Sequence, residues 1–190
     1  LATLSAHKIH GPKGVGALYV GQITSIRPLL HGGGQEQELR PGTENIPGIV
    51  GFGRAVELSF RDIVEKQNGL RDLRDLLRHQ LCSNISDLTV NTPEEPYAAP
   101  HILNVAFPGI KGEVLLRNLE AEHIYASTGS ACTSGKNQYS HVLKAMGLPE
   151  QKAEGALRFS FSEFNTGVEI NRCMNAILPA YRKLKKISNL

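Results

Sequence analysis

The sequence of 190 residues has few cysteines and no long apolar run, so neither a disulfide-rich nor a membrane-spanning protein is predicted. It has only three cysteines, Cys82, Cys132 and Cys173, which are widely spaced and odd in number, so no disulfide framework is predicted. No apolar run approaches the length of a membrane span, and no signal peptide is recognisable. We therefore expect a protein of the reducing cytoplasm with no membrane partner.

The excess of positive charge is also small, with a net charge of +3. This excess does not indicate nucleic-acid binding. The basic cluster Arg182, Lys183, Lys185 and Lys186 is interpreted as the solvated end of a helix, where cations complement the helix dipole. No internal repeat is present and no metal site is predicted. A hydrophobic content of 41% is ordinary for a soluble globular protein of one large or two small domains.

Near the start of the chain, a hydroxyl, an imidazole and an amine occur within four residues, at Ser5, His7 and Lys8. A lysine becomes nucleophilic when burial or a neighbouring positive charge keeps its amine partly neutral. Ser5 and His7 are suitable donors to an anionic group beside that amine. A phosphate next to a Schiff-base lysine is what a pyridoxal phosphate site requires. Taken alone, the short pattern also describes a solvated lysine in a polar loop.

Three other positions are candidates whose patterns leave two interpretations open. Thr43 follows a triple glycine, residues 32–34, for which we expect a tight loop with unusual backbone angles; it is either a binding hydroxyl or a turn and helix-start residue. Cys132 lies among small hydroxylated residues and glycines, which indicate a solvated loop with an accessible thiol. Arg158 lies on a predicted strand and holds either a carboxylate or a surface ion pair.

Apolar periodicity predicts most of the remaining secondary structure. Strands are predicted at residues 1–4, 15–20, 87–91, 102–107, 124–126 and 157–161, and helices at residues 47–84 and 112–121. We expect the long helix to break or kink at Asn68-Gly69. Thr166 to Glu169 forms a capping box that opens the last helix, which Pro179 should kink. Cys82 and Cys173 lie in apolar stripes and are interpreted as core residues.

Four stretches, taken in order, resemble the cysteine desulfurases, a branch of the class V aminotransferase-like enzymes. They are S-A-H-K with G-P-K-G from Ser5, H-G-G-G-Q-E with R-P-G-T from His31, S-T-G-S-A-C-T-S-G from Ser127, and A-L-R-F-S from Ala156. The resemblance extends over essentially the whole chain. The segment S-A-C-T-S is similar to the longer-looped type of the family. The residues Ser162 to Thr166 lack the basic residue that the family usually has before the phenylalanine.

The resemblance implies a role for each candidate residue. Lys8 would hold pyridoxal 5′-phosphate covalently and then move protons, while Ser5 and His7 bind the phosphate. Thr43 would reach the cofactor phosphate of the partner subunit in a homodimer. Arg158 would bind the carboxylate of L-cysteine, and Cys132 would remove the sulfur as a persulfide.

The activity implied is therefore pyridoxal phosphate-dependent conversion of L-cysteine to L-alanine. The sulfur would pass to acceptor or scaffold proteins for iron–sulfur cluster assembly or thionucleoside synthesis. A selenocysteine lyase is an alternative within the same chemistry. A second alternative, from another class, is a non-catalytic module that dimerises or docks sulfur acceptors.

The fold implied is the C-terminal part of an α/β, fold-type I transferase. Residues 1–66 are expected to close the large cofactor-binding domain and begin a linking helix, and residues 67–190 to form a small C-terminal α/β domain. Because the chain begins next to the lysine motif, we expect it to be the C-terminal half of such an enzyme. The family's contacts to the cofactor ring lie in the other half, so this chain alone is expected to bind cofactor weakly or not at all.

Overall fold

The computed structural model describes residues 1–128 and 140–188. Contacts along the chain divide it into two units, Leu1–Ile63 and Val64–Leu190. That residues 1–66 belong to a larger domain and residues 67–190 to a small C-terminal one stays a prediction.

The first unit is built from a short hairpin and a helix. Strands β1 and β2 pair antiparallel, from Ala2 opposite Tyr19 to Ser5 opposite Gly16. The elements in chain order are β1 (Ala2–Ser5), a 3-10 helix (Ala6–Ile9), β2 (Gly16–Tyr19), a second 3-10 helix (Gln35–Glu38) and α1 (Ile46–Phe60). The strands predicted at residues 1–4 and 15–20 are thus confirmed.

Helix α1 begins where Asn45 caps it, because the Asn45 side chain accepts a hydrogen bond of 3.1 Å from the Gly48 N–H. The helical periodicity predicted this element, but the apolar stripe used to predict it is exposed at Ile49, Val56 and Phe60. The buried residues of α1 are instead small, Gly48 and Ala55.

The break in the long predicted helix falls at Arg61-Asp62, so a break at Asn68-Gly69 is ruled out, while a kink there stays a prediction. Arg61 is extended, with ψ of 125°, and Asp62 has φ of 54°, a left-handed conformation that aspartate tolerates better than most residues. Helix α2 (Ile63–Asn84) then runs through Gly69 without interruption. A Cβ atom on Gly69 would meet nothing within 4 Å, so the glycine costs only its propensity, about 1 kcal/mol.

The second unit places helices around a three-stranded antiparallel sheet of order β3-β4-β5. After α2, its elements are β3 (Thr89–Val90), β4 (Ile102–Ala106), α3 (Gly112–Ala121), α4 (His141–Ala145), α5 (Glu150–Glu154), β5 (Ala156–Ser160) and α6 (Gly167–Ser188). The short helices α4 and α5 were not predicted. No strand forms at residues 124–126, and the residue that follows them, Ser127, makes an isolated bridge to Arg158.

The main core of this unit lies on one face of the sheet. Its most buried side chains come from α2, β4, the residue after β4, α3, β5 and α6, and include Leu77, Leu81, Leu103, Val105, Phe107, Leu115, Leu119, Leu157 and Ile177. Burying side chains of this size stabilises the fold by roughly 1.5–3 kcal/mol each. The helical periodicity of α2 and α3 is confirmed by the burial of Leu77, Leu81, Leu115 and Leu119, whereas Val168, an apolar residue in the first turn of α6, is exposed.

A capping box begins α6, as predicted. The Thr166 N–H donates to Glu169 Oε2 at 2.8 Å, and the Glu169 N–H donates to Thr166 Oγ1 at 3.4 Å. The helix continues through Pro179 to Ser188, and the kink at Pro179 stays a prediction.

The connection from β3 to β4 is fixed by a buried arginine of α2. Arg74 is 3% exposed, and its guanidinium donates to Asp75 Oδ1 at 2.9 Å, to Glu95 Oε1 at 3.1 Å and to the Ala99 carbonyl at 3.3 Å. Because Asp75 and Glu95 are about half exposed, solvent weakens these charged hydrogen bonds, but the burial of Arg74 keeps its guanidinium in one place. Arg74 therefore holds the loop that delivers the chain into β4.

Candidate active site

The three N-terminal candidates lie together on the loop that joins β1 to β2. Ser5 ends β1, and His7 and Lys8 occupy the 3-10 helix that follows. The loop closes through hydrogen bonds from the Ala6 N–H to the Val15 carbonyl, 3.2 Å, and from the Gly11 N–H to the Ala6 carbonyl, 2.9 Å. Ser5, His7 and Lys8 are all exposed, so their polar atoms are open to a ligand.

Helix α1 supports this loop with small residues. Ala6 is fully buried, and a Cβ atom on Gly11 would lie 3.1 Å from the Cβ atom of Ala55. One turn earlier, a Cβ atom on Gly51 would lie 2.6 Å from the Pro12 Cγ atom. The approach of loop and helix therefore depends on glycine at both positions, and it fixes the backbone from which Lys8 projects.

The donor set of this loop matches the chemistry of a phosphorylated aldehyde. A serine hydroxyl and an imidazole N–H both donate to phosphate oxygens, and a lysine amine adds to an aldehyde carbon to form an imine. Ser5, His7 and Lys8 provide these three groups within four residues. Pyridoxal phosphate is a ligand that these residues fit.

Thr43 lies in a loop of the same unit, before α1. The Gly42 N–H donates to Gln35 Oε1 at 3.2 Å, and Gly42 has φ of 110°, a conformation that favours glycine. Thr43 itself is exposed, and the cap of α1 is Asn45 rather than Thr43. The Thr43 hydroxyl therefore does not cap α1.

The expectation of unusual backbone angles in the triple glycine is wrong. Positive φ angles fall on Glu36, Gln37 and Glu38, whereas Gly34 has φ of −81°. The glycines instead allow the neighbouring residues Pro41 and Gln35 to come close to the backbone. A Cβ atom on Gly32 would lie 2.8 Å from the Pro41 Cβ atom, and one on Gly33 would lie 2.5 Å from Gln35 Oε1.

Arg158 is in the second unit, on β5, with Leu157 and Phe159 on either side buried in the main core. Its side chain therefore projects from the opposite face of the sheet and is half-buried. Its Nε atom is buried and has no hydrogen-bond partner among residues 1–128 and 140–188. An N–H that is buried without an acceptor costs about 1–3 kcal/mol, so this face of Arg158 is suited to an anionic ligand.

The three cysteines differ in placement. Cys132 lies outside the described residues. Cys173 is buried as predicted, and burial raises the pKa of its thiol to about 12. Cys82 is exposed, so its assignment to the core is wrong: it follows the fully buried Leu81 by one residue, which turns it about 100° out of the apolar stripe.

Two other kinds of site are not found in the described part of the chain. Within residues 1–128 and 140–188, no group of three or more histidine, cysteine, aspartate or glutamate side chains could hold a metal ion. Over the same ranges, no helix combines the length and apolar character needed to cross a membrane.

Sequence reasoning missed two polar residues on the face of the sheet that carries Arg158: Asn104, which lies opposite Arg158, and Asn91, which bonds to Asn104 from the other side. The signal was a single asparagine inside the apolar strand from Ile102 to Ala106, which breaks an otherwise hydrophobic run. Its meaning depends on which residues lie opposite it in the sheet, and that information comes only from the structure.

Comparison with known proteins gives one matching protein family and several relatives of high sequence identity. Residues 1–173 match the aminotransferase class V family. A cysteine desulfurase of Gluconacetobacter diazotrophicus is 45% identical over 188 residues, 99% of this chain and 47% of that protein. The cysteine desulfurase IscS of Methanosarcina thermophila is 44% identical over 190 residues, 100% of this chain and 46% of that protein. The chain thus spans about half the length of the curated relatives that it matches.

Two solved structures superpose on nearly the whole of this chain and therefore show its fold. A NifS-like protein superposes with a TM-score of 0.85 at 39% identity, over 96% of this chain and 46% of that one. The NifS-like protein of Rickettsia africae superposes with a TM-score of 0.77 at 30% identity, over 97% of this chain and 47% of that one. The predicted α/β class and its relation to fold-type I enzymes are confirmed.

Proposed function

The chain belongs to the aminotransferase class V family, and from this premise we propose that it is part of a pyridoxal phosphate-dependent cysteine desulfurase. The proposal is supported by the similarity of nearly the whole chain to proteins with that name. One structural observation supports the proposal at the level of residues: Ser5, His7 and Lys8 are exposed on one loop that packs against α1.

In this proposal the loop would hold the cofactor. Ser5 and His7 would donate hydrogen bonds to the phosphate, and Lys8 would hold the aldehyde group through its amine and would move protons at the substrate. The bound cofactor supplies an electron sink for charge that develops on the amino acid. The homodimer is part of the proposal, with Thr43 serving the phosphate of the partner subunit's site.

The second unit supplies the substrate contacts. The Arg158 guanidinium binds the carboxylate of L-cysteine with two parallel hydrogen bonds. The Cys132 thiolate attacks the substrate sulfur, the carbon–sulfur bond breaks, and the carbon receives a proton. L-Cysteine and one thiol thus give L-alanine and one persulfide, so that atoms and electrons balance. We propose that the persulfide sulfur then passes to acceptor proteins in the cytoplasm.

The test is a turnover measurement on the complete, cofactor-loaded enzyme of which we propose this chain to be part. L-Cysteine should give stoichiometric alanine, and borohydride should fix the cofactor to the peptide that contains Lys8. Lys8→Ala should abolish both signals, while Lys13→Ala, a lysine of the same loop region, should retain them. Faster alanine release from L-selenocysteine than from L-cysteine would favour the lyase alternative. Absence of alanine from both substrates would contradict the proposal.

A further inference from the structure

Four residues form a continuous polar row across one face of the second unit. The row consists of Asn91, Asn104 on β4, Arg158 on β5, and Ser127 in the bridge beside β5. Asn104 lies opposite Arg158 in the register of β4 and β5. The Asn91 Nδ2 atom donates to Asn104 Oδ1 at 2.7 Å, which places these two side chains on the same face.

Asn104 and Arg158 form the kind of cross-strand pair in which side chains come closest. The N–H and C=O of Arg158 bond to Ser127, at 2.6 and 3.0 Å. The carbonyl of Asn104 accepts from the N–H groups of Asn91 and Thr92, and its N–H donates to Thr92 Oγ1 at 2.7 Å. The pair Asn104–Arg158 is therefore not hydrogen-bonded through the backbone, and in such pairs the Cα atoms lie about 4.5 Å apart.

The row borders a small apolar cluster on its own face of the sheet. Ala106 and Ala156, two residues along each strand, pack with Leu143 of α4 and Ala153 of α5. The main core lies on the opposite face, where it contains Leu103, Val105, Leu157 and Phe159. The polar row therefore interrupts an otherwise apolar sheet at the position of Arg158.

The orientation of the Asn104 amide follows from its partner on β3. Its oxygen accepts from Asn91, which leaves its two N–H donors for another acceptor, and Arg158 is the neighbour of Asn104 on the adjacent strand β5. Asn91 is 9% exposed and fixes this orientation from within the fold. The Nε of Arg158, buried and without a partner in the described part of the chain, thus lies on the strand next to an amide whose oxygen is already held by Asn91.

We propose that Asn104 supplies a second hydrogen-bond donor to the carboxylate that Arg158 binds, and that Asn91 holds the Asn104 amide in the donating orientation. The guanidinium provides the charge and two donors, and the amide adds a donor without a further charge. The inference rests on the proposed function in one respect only, that the ligand of Arg158 is a carboxylate.

A matched pair of ligands tests this inference without turnover. 3-Mercaptopropionate has the thiol and carboxylate of cysteine and no amine, and 3-mercaptopropionamide replaces the carboxylate with a neutral group of the same shape. Binding of each to the complete, cofactor-loaded enzyme is measured by NMR titration. Wild-type protein should prefer the acid. Asn104→Ala should weaken binding of the acid by about ten-fold or more and leave binding of the amide unchanged.

Asn104→Asp separates ligand binding from a structural role. Aspartate still accepts the hydrogen bond from Asn91, so the fold is kept, but it lacks the donors and adds a charge that repels the carboxylate and competes for Arg158. It should bind the acid more weakly than Asn104→Ala does. Asn91→Ala should lower the midpoint of thermal unfolding as much as Asn104→Ala, with a smaller loss of affinity.

Three results would overturn the inference: wild-type affinity of Asn104→Asp for the acid, equal loss of acid and amide binding in Asn104→Ala, or no preference of the wild type for the acid. The outcome is independent of the proposed activity. If L-cysteine gives no alanine but the acid binds in this pattern, the proposed reaction fails and the carboxylate site stands. If alanine forms and the variants bind normally, the reaction stands and the role of Asn104 fails.

Discussion

Gly51 on α1 lies so close to Pro12 that an added Cβ atom would be 2.6 Å from the Pro12 Cγ atom. Gly53, two residues further along the same helix, has nothing within 4 Å of such an atom. Both glycines therefore carry the same helix-propensity penalty, but only Gly51 has a neighbouring side chain close to an added Cβ atom. The contrast allows the contact between α1 and the Lys8 loop to be measured apart from helix propensity.

We predict opposite effects for Gly51→Ala and Gly53→Ala. Gly53→Ala should stabilise the protein by about 0.5–1 kcal/mol, because alanine loses less conformational entropy in a helix. Gly51→Ala should destabilise it by roughly 1–3 kcal/mol, since the rigid proline ring has to move, and should weaken cofactor binding through the displaced Lys8 loop. Urea unfolding and cofactor titration check both. Equal stabilisation by the two variants would show that Pro12 moves freely.

The capping box of α6 predicts a dependence of stability on pH. The hydrogen bond from the Thr166 N–H, with further contributions from Asn165, the Thr166 hydroxyl and Arg172, lowers the pKa of the Glu169 carboxyl. A carboxyl whose pKa is lower in the folded state contributes stability above its unfolded pKa, and this contribution is lost as the pH falls through the folded value. The loss therefore occurs on the acid side of the ordinary glutamate pKa, 4.5.

Glu169→Gln should accordingly unfold at lower denaturant concentration than wild type at neutral pH, and the difference should vanish in acid. Thr166→Ala is the companion variant, because it removes the capping hydroxyl and should cost about 1 kcal/mol. Urea midpoints from pH 2 to pH 7 are the measurement. A difference between wild type and Glu169→Gln that stays constant over this range would exclude the assigned pKa shift.

The sequence predicted those elements whose apolar side chains meet the core of their own unit. The leucines of α2 and α3 recur with helical spacing, and Leu77, Leu81, Leu115 and Leu119 are buried. The break before α2 was misplaced because sequence marks a weak helix residue, Gly69, more strongly than a left-handed aspartate, Asp62. A single exposed glycine costs about 1 kcal/mol, which the packing of the following leucines outweighs.

The candidate site was predictable where its residues are adjacent in sequence. Ser5, His7 and Lys8 fall within four positions, and any loop that joins β1 to β2 keeps them together. The row around Arg158 is different in kind, because Asn91, Asn104 and Arg158 meet only through strand register. The periodicity of two placed Arg158 on one face, but it could not say which residues share that face.

The proposed homodimer makes a prediction about Thr43 and Lys8 that hybrid dimers decide. Thr43→Ala should weaken cofactor retention without unfolding the protein. In a hybrid with Thr43→Ala in one subunit and Lys8→Ala in the other, a Thr43 that serves the partner's site places both defects in one site. The other site stays intact, so about half of the wild-type activity should remain.

Tandem purification with two affinity tags isolates that hybrid, and its alanine production is compared with both homodimeric variants. A Thr43 that serves its own subunit would leave one site without Lys8 and the other without Thr43. Activity no greater than half that of the Thr43→Ala homodimer would therefore contradict the role across the interface.

The last prediction concerns which thiol receives sulfur. Thiolate character and access set the rate of alkylation, so Cys173, which is buried and has a pKa raised to about 12, should be the slowest. The exposure of Cys82 overturns the expectation that its core position would protect it as well. Alkylation rates alone therefore do not separate Cys82 from Cys132, and turnover has to do so.

A single turnover with L-cysteine should place the extra sulfur on Cys132, because the proposed mechanism gives that thiolate the attack on the substrate sulfur. Cys132→Ala should abolish persulfide and alanine formation while leaving the borohydride-fixed cofactor on Lys8, since that bond needs only the lysine. Cys82→Ala is the matched control and should retain turnover. The measurement is mass-resolved mapping of persulfides after the thiols are trapped. Extra sulfur on Cys82, or undiminished alanine release from Cys132→Ala, would remove Cys132 from the reaction and make the exposed thiol of α2 the next nucleophile to test.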